Sequence, residues 1–323
     1  MANRIDTHFH IVPDFFAQAI EETGGDPSGW KTPSWSVEQA KDHMKTLGIK
    51  KAFTSITAPG TSIYITDTKK ARDLARQCNE FAAKMRDDDP DKFGFFATLP
   101  PMIDVEGCLA EIDYAFNTLG ADGVTVLTSY QKDGQGVYLG NELYYPIWEK
   151  LDVMKAVVFI HPTNSSVPQV NKHAAQPIFD FPQETTRTVG DLVLSGTKGK
   201  FPNMKMILSH AGGTIPFLAY RIMGVGSPSR SQQDVAKDFK SFWYDTALST
   251  SKAQLLALLE IADPNRILFG SDIPYAPFEA VKVVTNGLDT FFAGDEEQQE
   301  LLRKINYKNA QALFPNELGL HRL

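Results

Sequence analysis

The sequence predicts an α/β fold in which residues 1–323 form a single (β/α)8 TIM barrel. Eight short β-rich runs alternate with amphipathic stretches from one end of the chain to the other, without a linker of biased composition. Several of the β-rich runs are almost wholly apolar, as expected of parallel strands that are buried on both faces. No Gly-rich phosphate-binding turn follows the first strand, which disfavours the competing doubly wound open sheet.

The eight predicted strands are short and are distributed along the whole chain. They cover residues 4–8, 52–57, 93–99, 122–127, 156–161, 204–210, 242–247 and 266–271. The near-continuous apolar runs AVVFI, MKMILS and RILFG lie in the fifth, sixth and eighth strands. Runs of this length, bounded by turn residues, are consistent with buried strands.

Helical segments follow the strands in order, and several have recognisable ends. Ser36 and Gln39 predict a capping box at the start of the first helix, and Gly48 predicts its end. The second helix begins near Thr68 and must end before Pro90. Further helices are predicted at about residues 104–119, 142–154, 183–194, 214–223, 252–261, 278–288, 296–305 and 307–313.

An irregular segment at residues 24–35, with the sequence GGDPSGWKTPSW, follows the first strand. Loops that follow the strands of such a barrel lie over its catalytic face. The segment is therefore a candidate lid that brings Trp30 and Trp35 to the site, and a surface insertion without a functional role is the alternative.

The composition excludes several classes of function. The chain has 32 Lys and Arg against 39 Asp and Glu, a net charge of −7, and no basic run, so we expect no nucleic-acid or anionic-membrane partner. Its two cysteines exclude a disulfide framework and a thiolate metal site. The N-terminus lacks the order of a signal peptide, and no apolar stretch approaches the roughly 20 residues needed to cross a bilayer. These features predict a soluble, cytoplasmic protein.

Five histidine and aspartate residues lie at the ends of predicted strands, where the active site of a barrel forms. His8 and His10 end the first strand on the same side, because side chains two residues apart share a face. His161 ends the fifth strand, His210 the sixth and Asp272 the eighth. Each alone has an ordinary structural explanation, such as a helix N-cap for Asp272. Four of the seven histidines at one barrel mouth instead predict a metal-binding site.

This set of residues resembles the metal site of the amidohydrolase superfamily. The segments PQETTRTVGDLVLSG, LSHAGGTIPFLAYRI, FWYDTA and ILFGSDIPY are similar to those of its amidohydrolase-related decarboxylases, and the resemblance extends over residues 4–313. It implies that His8, His10, His161 and Asp272 bind one divalent ion, Zn²⁺ or Mn²⁺, without an organic cofactor. The fourth strand, DGVTVLTS, lacks the lysine of binuclear relatives, so a bridged two-metal centre is not expected.

The resemblance also implies roles around the substrate. His210 would be the catalytic histidine beside the ion, and Arg221 would hold a substrate carboxylate in the site of a neighbouring subunit, which predicts a homodimer. Glu184 and Arg187 lie in the E-T-T-R segment, where they either contact the substrate or support the site. Trp30 of the lid is a further predicted substrate contact.

The predicted activity is that of a metal-dependent carboxy-lyase, a non-oxidative decarboxylase of a salicylate-type acid. The resemblance favours 6-methylsalicylate as the substrate, with 3-methylphenol (m-cresol) and CO2 as products. Loss of CO2 would leave an unstabilised aryl anion unless the ring carbon is protonated first, and an ortho-hydroxyl supplies electron density for that step. A metal would act as template and Lewis acid for the hydroxyl and carboxylate oxygens, and either His210 or Asp272 would be the acid. A metal-dependent hydrolase of the lactonase type and a catalytically silent metal-binding scaffold are the alternatives.

Overall fold

A computed structural model of the chain describes residues 3–165, 167, 170, 172–226 and 229–315. Its main sheet has eight parallel strands, whose order in the sheet follows the chain apart from one inserted hairpin. The strands are β1 (Arg4–His10), β2 (Ile49–Ser55), β3 (Phe93–Thr98), β4 (Gly123–Leu127), β7 (Val157–His161), β8 (Lys205–Leu208), β9 (Trp243–Asp245) and β10 (Ile267–Leu268). The antiparallel hairpin consists of β5 (Ser129–Lys132) and β6 (Gln135–Tyr138).

The sheet closes on itself where its first strand meets the segment that follows its last strand. Thr7 N donates a hydrogen bond to Phe269 O (3.0 Å), and His10 N donates to Ile273 O (2.7 Å). The predicted barrel is therefore confirmed, with all eight predicted strands present. The first strand is longer than predicted and continues to His10.

Helices surround the barrel. They are α1 (Asp14–Glu22), α2 (Val37–Leu47), α3 (Thr68–Asp88), α4 (Val105–Asn117), α5 (Tyr145–Val153), α6 (Gln176–Leu194), α7 (Thr197–Lys200), α8 (Ile215–Val225), α9 (Gln232–Ser241), α10 (Lys252–Ile261), α11 (Phe278–Phe291), α12 (Glu296–Arg303) and α13 (Asn309–Leu313). A π-helical turn at Lys304–Lys308 joins the last two. Within the described part of the chain, no helix combines the length and the apolar character needed to cross a membrane.

The predicted helix ends are confirmed in part. Ser36 Oγ accepts a hydrogen bond from Gln39 N (3.1 Å), and Gly48 follows the last residue of α2 with a left-handed φ of 67°. The two reciprocal bonds of a complete capping box occur instead at the start of α10, between Ser251 and Gln254.

Local patterns do not predict α1, α7, α9 or the β5–β6 hairpin, and they place the start of α6 at residue 183 instead of 176. Pro177 lies in the first turn of α6, where a missing N–H costs no hydrogen bond. Pro182 lies inside the helix, where proline usually interrupts the helical pattern. Because of this interior proline, the sequence pattern predicts that the helix starts directly after residue 182.

Apolar side chains fill the end of the barrel that lies away from the polar strand ends. They come from strands all around the barrel and include Ile5, Phe53, Phe96, Val157, Phe159, Ile207, Trp243 and Leu268. Phe314, just after α13, stacks on Phe53 with ring centroids 3.9 Å apart. Because Ile5 precedes His8 on β1, this packed cluster lies beneath the polar residues and supports them from the N-terminal side.

Candidate active site

Four ligand-type side chains meet at the C-terminal ends of the barrel strands. One nitrogen from each of His8, His10 and His161 and one oxygen of Asp272 all lie within 4.8 Å of one another, and the four residues are buried. The Nε2 atoms of His8 and His10 are 3.1 Å apart, and Asp272 Oδ1 lies 3.4 Å and 3.2 Å from them, respectively. Two atoms that each lie about 2.1 Å from one ion are separated by about 3–3.5 Å. The four residues therefore fit the coordination shell of a single ion, and we call them the metal cluster.

The Nδ1 atom of each histidine in the metal cluster faces a partner outside the cluster. The Nδ1 atoms face other oxygens: His8 Nδ1 lies 2.8 Å from Asp245 Oδ2, His10 Nδ1 3.0 Å from Ser55 Oγ, and His161 Nδ1 2.7 Å from Pro162 O. A neutral imidazole that donates from Nδ1 has Nε2 free to bind a metal. Histidine ligands in metal sites are oriented by partners of this kind.

Burial and neighbouring charges control protonation in the metal cluster. Burial holds the pKa of His161 well below its usual value, so its imidazole is neutral. Burial alone would raise the pKa of Asp272, but the surrounding histidines outweigh it and hold that pKa well below its usual range. Burial also opposes protonation of His8, yet Asp245 and Asp272 raise its pKa to about 10. A metal ion therefore competes with a proton on His8, since histidine binds metals in its deprotonated form.

A cavity of about 500 Å³ opens onto the metal cluster. His161, His210 and Asp272 form part of its wall, with Thr57 beside them. Apolar side chains form much of the remaining wall, among them Trp30, Ile178, Phe181, Phe217, Leu248 and Ala276. No Lys or Arg lines the cavity in the part of the chain that the structure describes. The volume falls in the range of about 300–1,000 Å³ that is usual for small-molecule sites.

His210 lies beside the metal cluster in the wall of the cavity. Its Nε2 atom is 3.3 Å from Asp272 Oδ2, whereas Asp272 Oδ1 faces His8 and His10. The backbone at His210 is left-handed, with a φ of 54°, and His210 N donates a hydrogen bond to Asp245 Oδ1 (3.0 Å). Such a backbone is uncommon for residues other than glycine and is concentrated at functional sites.

The loop at residues 24–35 contributes one of its two tryptophans to the cavity. Trp30 lines the cavity, together with Asp26 and Ser28 of the same loop. The expectation for Trp35 is wrong, because its ring packs against Phe81 of α3, with ring centroids 6.0 Å apart.

Glu184 and Arg187 lie on α6 outside the lining of the cavity. Tyr138 Oη donates a hydrogen bond to Glu184 Oε2 (2.9 Å) and accepts one from Arg187 Nε (2.6 Å). Burial raises the pKa of Glu184. These contacts connect the β5–β6 hairpin to α6, and a supporting role for both residues stays a prediction.

Arg221 lies on α8, is exposed, and does not line the cavity of its own chain. Phe217, one helical turn earlier, does line the cavity and is 65% exposed. Ile178, Phe179 and Tyr220 are also more than half exposed, and Ile178 lines the same cavity. Phe179 follows Ile178 on α6, and Tyr220 lies three residues after Phe217 on α8. We call these four exposed apolar residues the rim patch.

Sequence patterns missed three polar residues at the site. Thr57 and Tyr275 line the cavity. Thr57 is the last residue of the second predicted strand and Tyr275 lies in the segment ILFGSDIPY, but a search of strand ends for His, Asp and Glu does not include threonine or tyrosine. Asp245 contacts His8 from the end of β9. The strand-end rule that identified Asp272 does not select Asp245, because the seventh strand is predicted to extend to residue 247, two residues beyond it.

The close approach of the backbone at Gly270 leads to a testable prediction. A Cβ atom at this position would lie 2.8 Å from His8 Cβ and 3.2 Å from Asp245 Cβ. We expect Gly270→Ala to displace His8 and to weaken metal binding about 10–100-fold, as loss of outer-shell support does. Titration of the metal-free protein measures this effect. Gly190→Ala is the matched control, because a Cβ at Gly190 meets nothing within 4 Å, and equal affinities of the two variants would contradict the prediction.

Comparisons with known proteins agree with this geometry. The chain is 41% identical over 323 residues to a 6-methylsalicylic acid decarboxylase from Penicillium expansum, with 98% of each chain covered. A crystal structure described as amidohydrolase II has a TM-score of 0.87 at 27% identity, covering 97% of this chain and 100% of that chain. A 5-carboxyvanillate decarboxylase from Novosphingobium aromaticivorans, crystallised with manganese and 4-hydroxy-3-methoxy-5-nitrobenzoic acid, has a TM-score of 0.82 at 22% identity, covering 97% and 96% of the two chains.

A family model described as amidohydrolase matches residues 5–315. The match runs from β1 through α13 and includes all four residues of the metal cluster. The resemblance found in the sequence is thereby confirmed, and the chain belongs to the amidohydrolase family.

Proposed function

We propose that this chain is a metal-dependent carboxy-lyase that converts 6-methylsalicylate to 3-methylphenol and CO2. The observation that carries the proposal is a buried three-histidine, one-aspartate cluster beside His210 at a cavity large enough for an aromatic acid. The relative from Penicillium expansum is named for decarboxylation of this acid, and the two chains align over nearly their whole lengths.

Different residues of the site would bind the metal ion and donate the proton during decarboxylation. His8, His10, His161 and Asp272 would hold a divalent ion, which would supply Lewis-acid charge to the oxygens of the acid. His210, in the wall of the same cavity, donates a proton to the ring carbon that bears the carboxylate. A C–H bond forms at this carbon, the bond to the carboxylate carbon then breaks, and its electron pair restores the aromatic ring as CO2 leaves.

The contacts favour His210 over Asp272 as the acid. Asp272 directs Oδ1 to the ligand nitrogens of His8 and His10 and Oδ2 to His210 Nε2, so both of its oxygens are already engaged within the site. His210 Nε2 lies 3.3 Å from Asp272 Oδ2, so the carboxylate orients the imidazole that would donate the proton. Asp272 then supports the acid while it holds the ion.

We further propose a homodimer in which Arg221 acts in the cavity of the partner subunit. The substrate is an anion, yet the described lining of the cavity contains no Lys or Arg. The rim patch exposes apolar side chains at the mouth of that cavity, and exposed apolar surfaces of this kind mark interaction sites. A second copy related by a two-fold axis would cover the patch and bring an arginine to each mouth.

The proposal includes one ion per chain, manganese or zinc, and no organic cofactor. Imidazole and carboxylate ligands suit both ions. The 5-carboxyvanillate decarboxylase contains manganese, which favours Mn²⁺ here. We also propose that residues 1–323 form a single domain, because one sheet takes its strands from residue 4 to residue 268. A cytoplasmic location stays a prediction of the sequence.

Incubation of the metal-loaded protein with 6-methylsalicylate tests the proposed activity. We expect equimolar 3-methylphenol and CO2, and no product after chelation of the metal. Lactones assayed in parallel for acid release test the hydrolase alternative. Lactone hydrolysis without release of CO2 would favour the hydrolase over the decarboxylase. Absence of turnover of both the aromatic acid and the lactones would favour the catalytically silent metal-binding scaffold.

The mechanism predicts that the ortho-hydroxyl of the substrate is essential. 2-Methylbenzoate has the methyl and carboxylate groups but lacks the hydroxyl that supplies electron density to the ring, so we expect no detectable turnover. Reaction of 6-methylsalicylate in D2O should place one deuterium at the carbon that lost CO2, which mass spectrometry and NMR detect. Comparable rates for the two acids, or a product without deuterium, would contradict protonation of the ring.

A further inference from the structure

We propose that Asp245 is a positioning residue that controls the proton of His8 and the backbone of His210 at the same time, an inference that rests on the proposed metal site. Asp245 is the last residue of β9 and has no exposed surface. Asp245 Oδ2 lies 2.8 Å from His8 Nδ1, and Oδ1 accepts hydrogen bonds from His210 N and Ala247 N, each 3.0 Å long. Both carboxylate oxygens are therefore engaged, each with a different part of the site.

The contact with His8 determines which nitrogen of that imidazole is available to a metal. An ionised carboxylate can only accept hydrogen bonds, so His8 must carry a proton on Nδ1 to bond with it. In the neutral imidazole, the lone pair is then on His8 Nε2, which lies 3.4 Å from Asp272 Oδ1 and 3.1 Å from His10 Nε2 within the metal cluster. Asp245 thus keeps His8 in the tautomer that binds a metal.

The second oxygen holds the proposed acid in place. His210 and the following Ala211 both have left-handed φ values, 54° and 57°, which cost free energy unless surrounding contacts hold them. The hydrogen bond from His210 N to Asp245 Oδ1 is a contact of this kind, and it fixes the turn from which the imidazole projects. One buried side chain therefore couples the position of the proton donor to the geometry of a metal ligand.

Asp245→Asn separates the two roles, because asparagine keeps one acceptor oxygen and replaces the other by an NH2 group. The two backbone N–H groups of His210 and Ala247 need the oxygen, so the NH2 group faces His8. His8 must then accept at Nδ1 and carry its proton on Nε2, where it blocks metal binding. We expect metal affinity to fall about 10–100-fold relative to wild type.

Asp245→Ala removes both roles, so its kcat at saturating metal should be lower than that of Asp245→Asn, which still holds the backbone of His210. Asp191→Asn is the matched control, because Asp191 accepts a backbone hydrogen bond from Gly140 N (2.6 Å) outside the site and should bind metal like wild type. Circular dichroism and thermal unfolding establish that each variant folds. A role in folding alone would not produce a loss of metal affinity or this order of kcat values.

A second measurement uses the wild-type protein and needs no variant to fold. In the zinc-loaded protein with 15N-labelled histidine, NMR should show His8 with a protonated Nδ1 and a metal-bound Nε2. Metal affinity of Asp245→Asn within about threefold of wild type, well short of the loss expected for an outer-shell partner, would overturn the inference, as would a His8 ring that binds zinc through Nδ1. A wild-type protein that binds no metal would instead contradict the proposed function, so the two failures are distinguishable.

Discussion

Replacement of His161 by alanine is expected to reduce the metal content from about one ion per chain to nearly none, and decarboxylase activity with it. His161 supplies one of four converging ligand atoms, and burial keeps its imidazole neutral and able to bind. Removal of an outer-shell partner lowers metal affinity about 10–100-fold, and removal of a direct ligand should lower it further. Elemental analysis of the purified protein and titration of the metal-free form measure the effect.

His43→Ala is the matched control for this substitution. His43 stacks on Phe278 with ring centroids 4.0 Å apart, and it does not belong to the metal cluster. The variant should therefore retain wild-type metal content and activity, with any loss confined to stability. Two ions per wild-type chain, or full activity of the wild type after chelation, would contradict a single catalytic ion.

The residues of the metal cluster were predictable because their signals are local. The period-two alternation of a strand places His8 and His10 on one face, and runs of apolar residues mark the strands that end in His161 and Asp272. Contacts between residues far apart in the sequence then follow from closure of the barrel, which brings the first strand beside the segment after the last strand. The order of the strands therefore predicts which residues from opposite ends of the chain lie side by side.

Contacts between side chains of different elements were not predictable in this way. Glu184 and Arg187 lie in the E-T-T-R segment, which the sequence pattern assigns to the site. Their common partner Tyr138 lies in a hairpin that no local pattern predicts. Trp35 has the same residue type as Trp30 and lies in the same loop, yet it packs against α3 because the loop turns away from the cavity. Such differences depend on the path of the backbone, which the spacing of residue types does not encode.

Replacement of Arg221 by alanine is expected to lower kcat/KM about 10–100-fold, mainly through KM, although the residue is exposed and does not line the cavity of its own chain. A hydrogen bond to a charged group contributes about 1.5–3 kcal/mol, which corresponds to this range. Arg221 follows Phe217 by one turn of α8, so the arginine and the rim patch lie on the same part of the surface. A partner that covers the rim patch would receive the arginine at its own cavity mouth.

Mixing two impaired variants, His210→Ala and Arg221→Ala, separates donation between subunits from action within one chain. Random exchange of equal amounts makes about half of the dimers mixed, and each mixed dimer has one site with both residues, which restores about a quarter of wild-type activity. The reciprocal control mixes wild type with a chain that carries both substitutions. Its mixed dimers have no intact site if Arg221 acts across the interface, so only about a quarter of the activity remains, whereas action within the chain leaves about half. No recovery in the first mixture, with mixed dimers verified by native mass spectrometry, would contradict donation between subunits.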